Sequence, residues 1–284
     1  MAKRMLEGKV AIITGAAGGF GRVLVQAFIE QGAKVAALDV DEAGLAALAG
    51  ALPAQARDRL MTRVTDISDC KACEDAVAAT IARFGGVHIL VNNGALGQGA
   101  IRADCMKNLV GIDEITPDMW QRFMATNLSG AWYLTRAAIR PFRAQRWGRI
   151  VTVTTSFFTM LRGGFHPYGP AKAGLEAMAA GHAQEFAEHG VTVNVVVPGG
   201  PADTPMVPPE SGYARKDLVP PGVMAPPIVW LCSDAADGIT GNRYVAMHWD
   251  ASKPPEAAER ETRAPIAWTQ LAQNPVWPGG KPPR

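Results

Sequence analysis

A tyrosine and a lysine, Tyr168 and Lys172, lie four residues apart in the stretch HPYGPAKAGLEAM. On a helix, residues at i and i+4 share a face, so both side chains could enter one cleft. A phenol with a pKa of about 10 is a poor base at neutral pH, and a neighbouring ammonium favours its ionised form. The pair therefore has the residue types needed to move a proton to or from a hydroxyl group. A tyrosine at a helix start beside an exposed lysine is the structural alternative.

A glycine-rich turn, TGAAGGFG at residues 14–21, follows one apolar stretch and opens an amphipathic one. Gly15, Gly19 and Gly21 let the backbone turn tightly and approach a pyrophosphate, whose charge is stabilised at a helix N-terminus. We therefore predict a dinucleotide site at these glycines and at Phe20, which lies between the last two. A glycine-rich turn without a ligand is the alternative.

The second apolar stretch, KVAALD, ends in Asp39. In a dinucleotide fold, an acid at this place hydrogen-bonds the adenosine ribose diol, and its charge repels a 2′-phosphate. The residue type therefore predicts NAD as cofactor in preference to NADP. An exposed loop aspartate is the alternative.

Two further strand ends carry residues that could complete the nucleotide site. The sequence TDIS places Asp66 and Ile67 where an adenine ring could rest. In VNNGA, Asn92 and Asn93 would shape the turn and the floor beneath a cofactor, and Gly94 would also border the cofactor. For Asp66, a helix-capping side chain is the alternative.

Strands and helices must position these turns, and the sequence alternates between apolar stretches typical of strands and amphipathic segments typical of helices. Short apolar stretches rich in β-branched residues predict strands that are buried on both faces. They are KVAIIT (9–14), KVAALD (34–39), RLMTRVTD (59–66), VHILVNN (87–93), GRIVTVTT (148–155), VTVNVVV (191–197) and RYVAMHW (243–249). Amphipathic segments between them predict an α/β fold: a single-domain, Rossmann-like doubly wound parallel sheet of about seven strands with helices on both faces. Ligands of such sheets bind beyond the carboxyl ends of the strands.

Composition limits the class of protein. The chain has 284 residues, 48% of them apolar, which is ample for the core of one α/β domain. A formal charge of +2 with 19% charged residues gives no indication of nucleic acid as a partner. The apolar run in MAKRMLEGKVAII is too short for a signal peptide or a membrane span, so we expect no membrane association and a cytoplasmic location.

Four cysteines are present, and two of them, Cys70 and Cys73, form the single C-x-x-C motif. Because no second pair or histidine pair completes a tetrahedral site, we expect free thiols and no metal.

Together, the motifs resemble those of the short-chain dehydrogenase/reductase family, and the likeness covers about residues 5–250. They are TGAAGGFG, Asp39, Asp66, NNGA, Asn127, Tyr168-x-x-x-Lys172 and Pro198-Gly199. The resemblance implies a nicotinamide-dependent oxidoreductase that interconverts an alcohol and a ketone by hydride transfer. It also implies a small-molecule substrate and a homo-oligomer, either a dimer or a tetramer.

The resemblance assigns roles to individual residues. Tyr168 would be the acid/base, and Lys172 would also hold the ribose hydroxyls of the cofactor. Asn127 would support a water that leads to the lysine, with a structural hydrogen bond as the alternative. Pro198 and Gly199 would border the cofactor.

One hydroxyl role stays open between two neighbours. The family's serine ends the fifth strand and steadies the substrate oxygen, and counting back from Tyr168 gives Thr155. Ser156 would need a shift of one residue. Since threonine offers the same hydroxyl, Thr155 is favoured.

The chain departs from the family pattern in three places. The order Asn93-Gly94-Ala95 is changed, and the segment GQGAIRADCMKNLVGIDEI is longer than usual. That segment is either a wall of the substrate pocket or a surface excursion. A proline-rich stretch at residues 201–227 contains Thr204, the match to the threonine that holds the nicotinamide amide. It is either a mobile lid or a rigid surface loop.

The third departure is the C-terminus. Residues 1–250 are expected to form the nicotinamide-dinucleotide-binding catalytic domain, and residues 251–284 a proline-rich extension rather than a second domain. Because free tails rarely carry two tryptophans, Trp268 and Trp277 suggest packing along a neighbouring subunit. A disordered tail is the alternative.

The identity of the substrate is the least determined part of the functional prediction. An apolar or cyclic alcohol or ketone is suggested by the residues near the expected cleft, namely Phe157, Phe158, Met160, Phe165, His166 and Met206. Arg162 and Arg102 could instead bind a carboxylate. Two other functional classes remain on this scaffold: a non-catalytic nucleotide-binding regulatory protein, and a lyase, epimerase or dehalogenase.

Overall fold

The computed structural model describes residues 4–271, and one eight-stranded sheet organises them. The strands are β1 (Val10–Thr14), β2 (Lys34–Asp39), β3 (Leu60–Val64), β4 (Ile89–Asn92), β5 (Gly148–Val153), β6 (Val191–Val197), β7 (Asn242–Val245) and β8 (Ala264–Pro265). The α-helices are α1 (Gly19–Glu30), α2 (Glu42–Ala51), α3 (Cys70–Phe84), α4 (Pro117–Met124), α5 (Gly130–Gln145), α6 (Phe157–Leu161), α7 (Tyr168–Phe186), α8 (Ala225–Leu231) and α9 (Pro255–Thr262).

The strand order is β3-β2-β1-β4-β5-β6-β7-β8. The first seven strands pair in parallel, as their apolar runs predict, and the order reverses between β1 and β4. The eighth strand differs from the expected seven: it is two residues long and pairs antiparallel with β7. A strand of that length has no periodicity that the sequence could reveal.

Helices cover both faces of the sheet, which confirms the doubly wound architecture. On one face, α1, α2, α8 and α9 contribute buried side chains that pack against the strands. On the other, α3, α5 and α7 do the same. Strands buried on both faces read as continuous apolar runs, which is why their positions were predictable.

The C-terminal segment packs onto its own chain. Ala258 of α9 and Ile266 after β8 are buried in the two opposite core layers. The Tyr244 hydroxyl donates a 2.6 Å hydrogen bond to Glu259 of α9. The described part of this extension therefore contributes to the core of its own chain through Ala258 and Ile266, whereas both residues of β8 are exposed. The expected packing along a neighbouring subunit stays a prediction. Trp277 lies outside the described residues.

Within residues 4–271, no helix combines the length and apolarity needed to cross a membrane. Over the same range, histidine, cysteine and acidic side chains do not come together in any group of three that could hold a metal ion. The four cysteines are free thiols, and Cys70 and Cys73 lie at the start of α3.

We expect removal of residues 253–284 to lower the melting temperature by about 10 °C, because several buried apolar residues and the Tyr244 hydrogen bond are lost. Circular dichroism at two protein concentrations measures this. The loss should be equal at both concentrations, and Glu256→Ala, an exposed position of α9, should leave the melting temperature unchanged. A loss confined to the dilute sample would instead indicate packing between subunits.

Candidate active site

Three turns meet at one edge of the sheet because parallel strands end there together. The glycine-rich turn follows β1, Asn93 and Gly94 follow β4, and Thr155 follows β5. Since β1, β4 and β5 are neighbours in the sheet, these turns form a continuous surface at the point where the strand order reverses.

The glycine-rich turn has the shape of a phosphate cradle. Gly15 has a φ of +62°, which favours glycine, and a Cβ there would lie 2.8 Å from the Gly94 Cα. The helix α1 begins after Gly18, which has no side chain to cap its first N–H groups. Such N–H groups suit a pyrophosphate, so the turn fits a dinucleotide. Gly21 is buried against the turn, and half-buried Phe20 packs against the core.

The turn after β4 is fixed to the glycine-rich turn. Asn93 Nδ2 donates to the Thr14 carbonyl at 2.8 Å, and the Gly94 N–H donates to Thr14 Oγ1 at the same distance. A Cβ on Gly94 would lie 3.1 Å from the Gly15 nitrogen. The changed residue order therefore places a glycine where the two turns touch. Thr14 was not predicted, although its position at the end of β1 was visible in the sequence.

Asp39 lies half-buried at the end of β2, beside the glycine-rich turn. Its carboxylate accepts from the Ala17 N–H at 2.9 Å and from the Asp41 N–H at 3.0 Å. Arg22, the cation on this turn, donates to the carbonyls of Ala17 and Gly44. The carboxylate thus lies beside the glycine-rich turn, and the nearby Arg22 guanidinium is engaged by carbonyls.

The two residues after β3 have different surroundings. Asp66 is exposed, and its carboxylate accepts from the backbone N–H and the hydroxyl of Ser68. The side chain that caps α3 is Asp69, so the capping role considered for Asp66 belongs to its neighbour. Ile67 is nearly buried, and its Cδ1 lies 3.2 Å from where a Gly94 Cβ would be.

Tyr168 is the first residue of α7 and lies half-buried beside Thr155. Burial raises the pKa of Tyr168 to about 12, and the Thr155 hydroxyl, as a hydrogen-bonding partner, lowers it in opposition. The Ser156 hydroxyl accepts from the Thr159 N–H at 3.1 Å and caps α6. The structure therefore brings Thr155, rather than Ser156, to the phenol.

Lys172 lies one turn further along α7 with 2% of its surface exposed. Its Nζ donates to the Val153 carbonyl at 2.8 Å and lies 5.9 Å from the centre of the Tyr168 ring. Burial lowers the pKa of Lys172 to about 8, because a charged ammonium is poorly solvated there. The pKa of the Tyr168 phenol is raised rather than lowered, because burial outweighs the hydrogen bond with Thr155; the expected lowering by the Lys172 ammonium is not seen.

Asn127 occupies a π-helical segment, Ala125–Ser129, between α4 and α5. Its Nδ2 donates to the Leu96 carbonyl at 2.9 Å, and its Oδ1 accepts from the Leu96 N–H at 2.7 Å. The side chain is 1% exposed and joins this segment to the backbone after β4. Such π-helical turns occur often at functional sites. The sequence indicated an apolar helical stripe here but not this interruption.

The residues after β6 turn towards the glycine-rich turn. Gly199 has a φ of +109°, and the Pro198 carbonyl accepts from the Met247 N–H at 3.2 Å. Thr204 is buried, and its Cβ lies 2.7 Å from where a Cβ on Gly19 would be. Thr204 therefore lies against the phosphate cradle.

The long segment after β4 packs between the proline-rich stretch and the loop before Tyr168. A Cβ on Gly97 would lie 3.0 Å from the Met206 Sδ. Gln98 is buried, and its Nε2 donates to the Gly164 carbonyl at 3.1 Å. These contacts favour a pocket wall over a surface excursion. Arg102 forms an ion pair with Glu114 in the same segment.

The mouth of the site is mostly apolar. A pocket of about 210 Å³ is lined by Ile112, Ile115, Thr116, Pro117, Trp120 and His166. Phe158 is exposed, whereas Met160 and Phe165 are buried. Arg162 lies over the Phe165 ring at 4.9 Å. The apolar lining and the position of His166, two residues before Tyr168, indicate that this pocket borders the site.

Residues 9–212 match the family model described as short chain dehydrogenase. Among curated proteins, the chain is 34% identical over 244 residues to 3-oxoacyl-(acyl-carrier-protein) reductase FabG of Escherichia coli, covering 83% of this chain and 94% of the relative. It is 32% identical over 251 residues to 3beta-hydroxysteroid dehydrogenase 2 of Eggerthella lenta, covering 84% and 92%.

Among solved structures, the chain is similar to a short-chain dehydrogenase/reductase described as a glucose/ribitol dehydrogenase from Brucella melitensis. The TM-score is 0.72 at 29% identity, with 85% of this chain and 96% of that chain covered. The family match over residues 9–212 includes β1 to β6 and all three turns of the candidate site.

Proposed function

Since this chain belongs to the short-chain dehydrogenase/reductase family and is an oxidoreductase acting on CH–OH groups, we propose that Tyr168 is the acid/base of its alcohol–ketone hydride transfer. The observation that carries this proposal is the grouping of the Tyr168 phenol, the Thr155 hydroxyl and the buried Lys172 ammonium at one strand end. Hydroxyl, phenol and ammonium together can hold and move one proton at a substrate oxygen.

In the oxidative direction, Tyr168 acts in its ionised form and accepts the hydroxyl proton of the substrate, and Thr155 donates a hydrogen bond to the same oxygen. Lys172 supplies positive charge that favours the ionised phenol as the proton arrives and leaves. A bound nicotinamide supplies the acceptor for the hydride that leaves the carbinol carbon. In the reductive direction, Tyr168 returns the proton to the new alcohol oxygen. Asn127 shapes the wall of the site by fixing the backbone at Leu96.

The dinucleotide would be held by the residues of the three turns and of the segment after β6. They are Gly15, Gly19, Phe20, Gly21, Asp39, Asp66, Ile67, Asn93, Gly94, Lys172, Pro198, Gly199 and Thr204, together with Tyr168. We propose NAD as the cofactor because the carboxylate of Asp39, at the end of β2 beside the glycine-rich turn, would hydrogen-bond the ribose diol and repel a 2′-phosphate.

We propose that the substrate is an apolar or cyclic alcohol or ketone, because the pocket that borders the candidate active site has a mostly apolar lining. The pocket beside His166 is formed largely by aliphatic and aromatic side chains. Arg102, which could have bound a carboxylate, is engaged by Glu114. The steroid named for one relative is also a large apolar alcohol.

The chain is also proposed to form a homo-oligomer through α5 and α7. An open apolar pocket of about 450 Å³ lies between them, lined by Leu128, Ser129, Trp132, Tyr133, Gly174 and Met178. Trp132 is 44% exposed, although a large aromatic ring gains most from burial. A second copy of the same face would cover it, giving a dimer or, with a second interface, a tetramer.

We expect Tyr168→Phe to lower kcat by at least about 100-fold while NADH affinity, measured by tryptophan quenching, stays within about 3-fold. The assay follows nicotinamide absorbance with cyclohexanol, 1-phenylethanol, a 3β-hydroxysteroid and a 3-oxoacyl thioester. Tyr133→Phe is the matched control and should keep full turnover. Turnover retained by Tyr168→Phe would remove the phenol from the mechanism.

The same assay separates the other functional classes. A regulatory protein would bind NADH without turning over any of these compounds. An epimerase would convert a substrate without net change in nicotinamide absorbance. Either outcome in the wild-type protein would overturn the proposed redox role.

We expect Asp39→Asn to raise the ratio of NADPH to NADH affinity by about 10-fold, because it removes the charge that opposes the 2′-phosphate and keeps an acceptor for the Ala17 N–H. Asp41→Asn, which retains the cap of α2, is the control for a general change in local charge. An equal shift in both variants would contradict a specific role for Asp39.

We expect Trp132→Asp to convert the oligomer to a monomer of 30.1 kDa, because it places a charge in the apolar face between α5 and α7. Size-exclusion chromatography with light scattering measures the mass. Arg140→Asp, an exposed position on α5, should leave the mass unchanged. An unchanged mass for Trp132→Asp would exclude this face as the interface.

A further inference from the structure

A buried carboxylate continues the catalytic face of α7. Tyr168, Lys172 and Glu176 follow each other at intervals of four residues, so they share one side of the helix. Glu176 is 0% exposed. The proposed hydride transfer does not use the Glu176 carboxylate. A fully buried charged group requires hydrogen-bonding or ionic partners.

Glu176 has three partners from three separate parts of the chain. Its Oε2 accepts from the Thr154 hydroxyl at 2.6 Å, just after β5. Its Oε1 lies 3.0 Å from the Arg243 Nε on β7 and accepts from the Ala267 N–H at 3.3 Å, just after β8. The carboxylate therefore connects the end of β5 to β7 and to the C-terminal segment.

Arg243 extends this connection to the candidate catalytic hydroxyl. Its Nη2 donates to the Thr155 carbonyl at 2.8 Å, and its guanidinium lies 4.2 Å from the centre of the Phe157 ring. The backbone leaves the sheet here, because the last bond from this strand to β6 is made by the Thr154 N–H to Val196. The Arg243 side chain thus holds a carbonyl that lies beyond the end of β5.

The C-terminal segment after β8 packs against the turn that carries Thr155. The ring of Trp268 lies 5.6 Å from that of Phe157, which follows Thr155 by two residues. Ala267 is nearly buried beside it. The turn that carries Thr155 is therefore enclosed by α7, β7 and the residues after β8.

We propose that Arg243 and Glu176 are positioning residues that fix the backbone at Thr155 and thereby aim its hydroxyl at the Tyr168 phenol and the substrate oxygen. The inference rests on the proposed role of Thr155. Neither residue touches substrate or cofactor; both act through the orientation of that turn.

A buried ion pair is a poor way to gain stability, since desolvation offsets most of the attraction. What it supplies here is geometry: a planar guanidinium reaches a carboxylate and a carbonyl at the same time. A displacement of a reacting group by about 1 Å can cost on the order of 100-fold in rate. The backbone at Thr155 therefore needs a rigid support, which the sheet no longer provides at that residue.

The test compares Arg243→Met/Glu176→Gln with the wild-type protein. Removing only one partner would leave a buried charge unpaired and destabilise the fold, so both are neutralised together. We expect kcat to fall about 10- to 100-fold while NADH affinity and the melting temperature stay close to those of the wild type. A kcat within about 2-fold of wild type would overturn the proposal.

Two further variants keep the test decisive. Arg243→Lys retains a positive charge facing Glu176 but cannot also reach the Thr155 carbonyl, so kcat should fall in the same range with the fold intact. Arg149→Met/Asp237→Asn removes the ion pair of another buried arginine, whose partner Asp237 is exposed, at the opposite end of β5 and should leave kcat unchanged. If this control lowers kcat equally, the effect is general destabilisation and the proposal is wrong.

Thr155→Ala separates this inference from the proposed function. If Thr155→Ala keeps wild-type kcat, the role of the hydroxyl is wrong and the positioning role falls with it. If Thr155→Ala is impaired, adding Arg243→Met/Glu176→Gln should lower kcat no further, because both act through one group. Full additivity of the two effects would overturn the positioning role while leaving the hydroxyl in place.

Discussion

The turns that follow β1 and β4 can touch because neither Gly15 nor Gly94 carries a side chain at the point of contact. A Cβ on either residue would lie within about 3 Å of the other turn, closer than side chains are normally found. The phosphate cradle and the floor of the site are therefore a single rigid piece, fixed by the hydrogen bonds of Asn93 and Gly94 to Thr14. The helix α1, Thr204 and the segment after Gly94 all adjoin this piece.

The helix α7 carries three ionisable groups on one face, and each is treated differently by its surroundings. The Tyr168 phenol is held in its neutral form by burial. The Lys172 ammonium donates to the Val153 carbonyl rather than to a carboxylate. No carboxylate partner therefore offsets the effect of burial, which lowers the Lys172 pKa. Glu176 lies deepest and faces the guanidinium of Arg243. The N-terminal end of α7 thus carries Tyr168 and Lys172, which can exchange a proton. Glu176, whose charge is paired with Arg243, has a structural role instead.

Much of this arrangement was readable in the sequence, since it is local. The apolar strands, the glycine-rich turn, and Tyr168 with Lys172 each follow from residues within one short stretch. The contacts that were missed join distant parts of the chain. Glu176 stood four residues beyond Lys172, but its partners lie on β5, on β7 and after β8, and no periodicity relates those positions. The packing of α9 on its own core was missed for the same reason, because proline content obscured its buried alanine.

The segments that depart from the family pattern surround the reacting groups rather than supply them. The long segment after β4 touches the proline-rich stretch at Gly97, and the residues after β8 support the turn that carries Thr155. The proposed chemistry therefore resides in the matched motifs, which lie at strand ends, whereas the shape of the proposed substrate pocket is set by loops, which vary in length and sequence among related proteins. It follows that relatives with about one-third identity can share the transfer of a hydride with this chain and still differ in the molecule that each accepts.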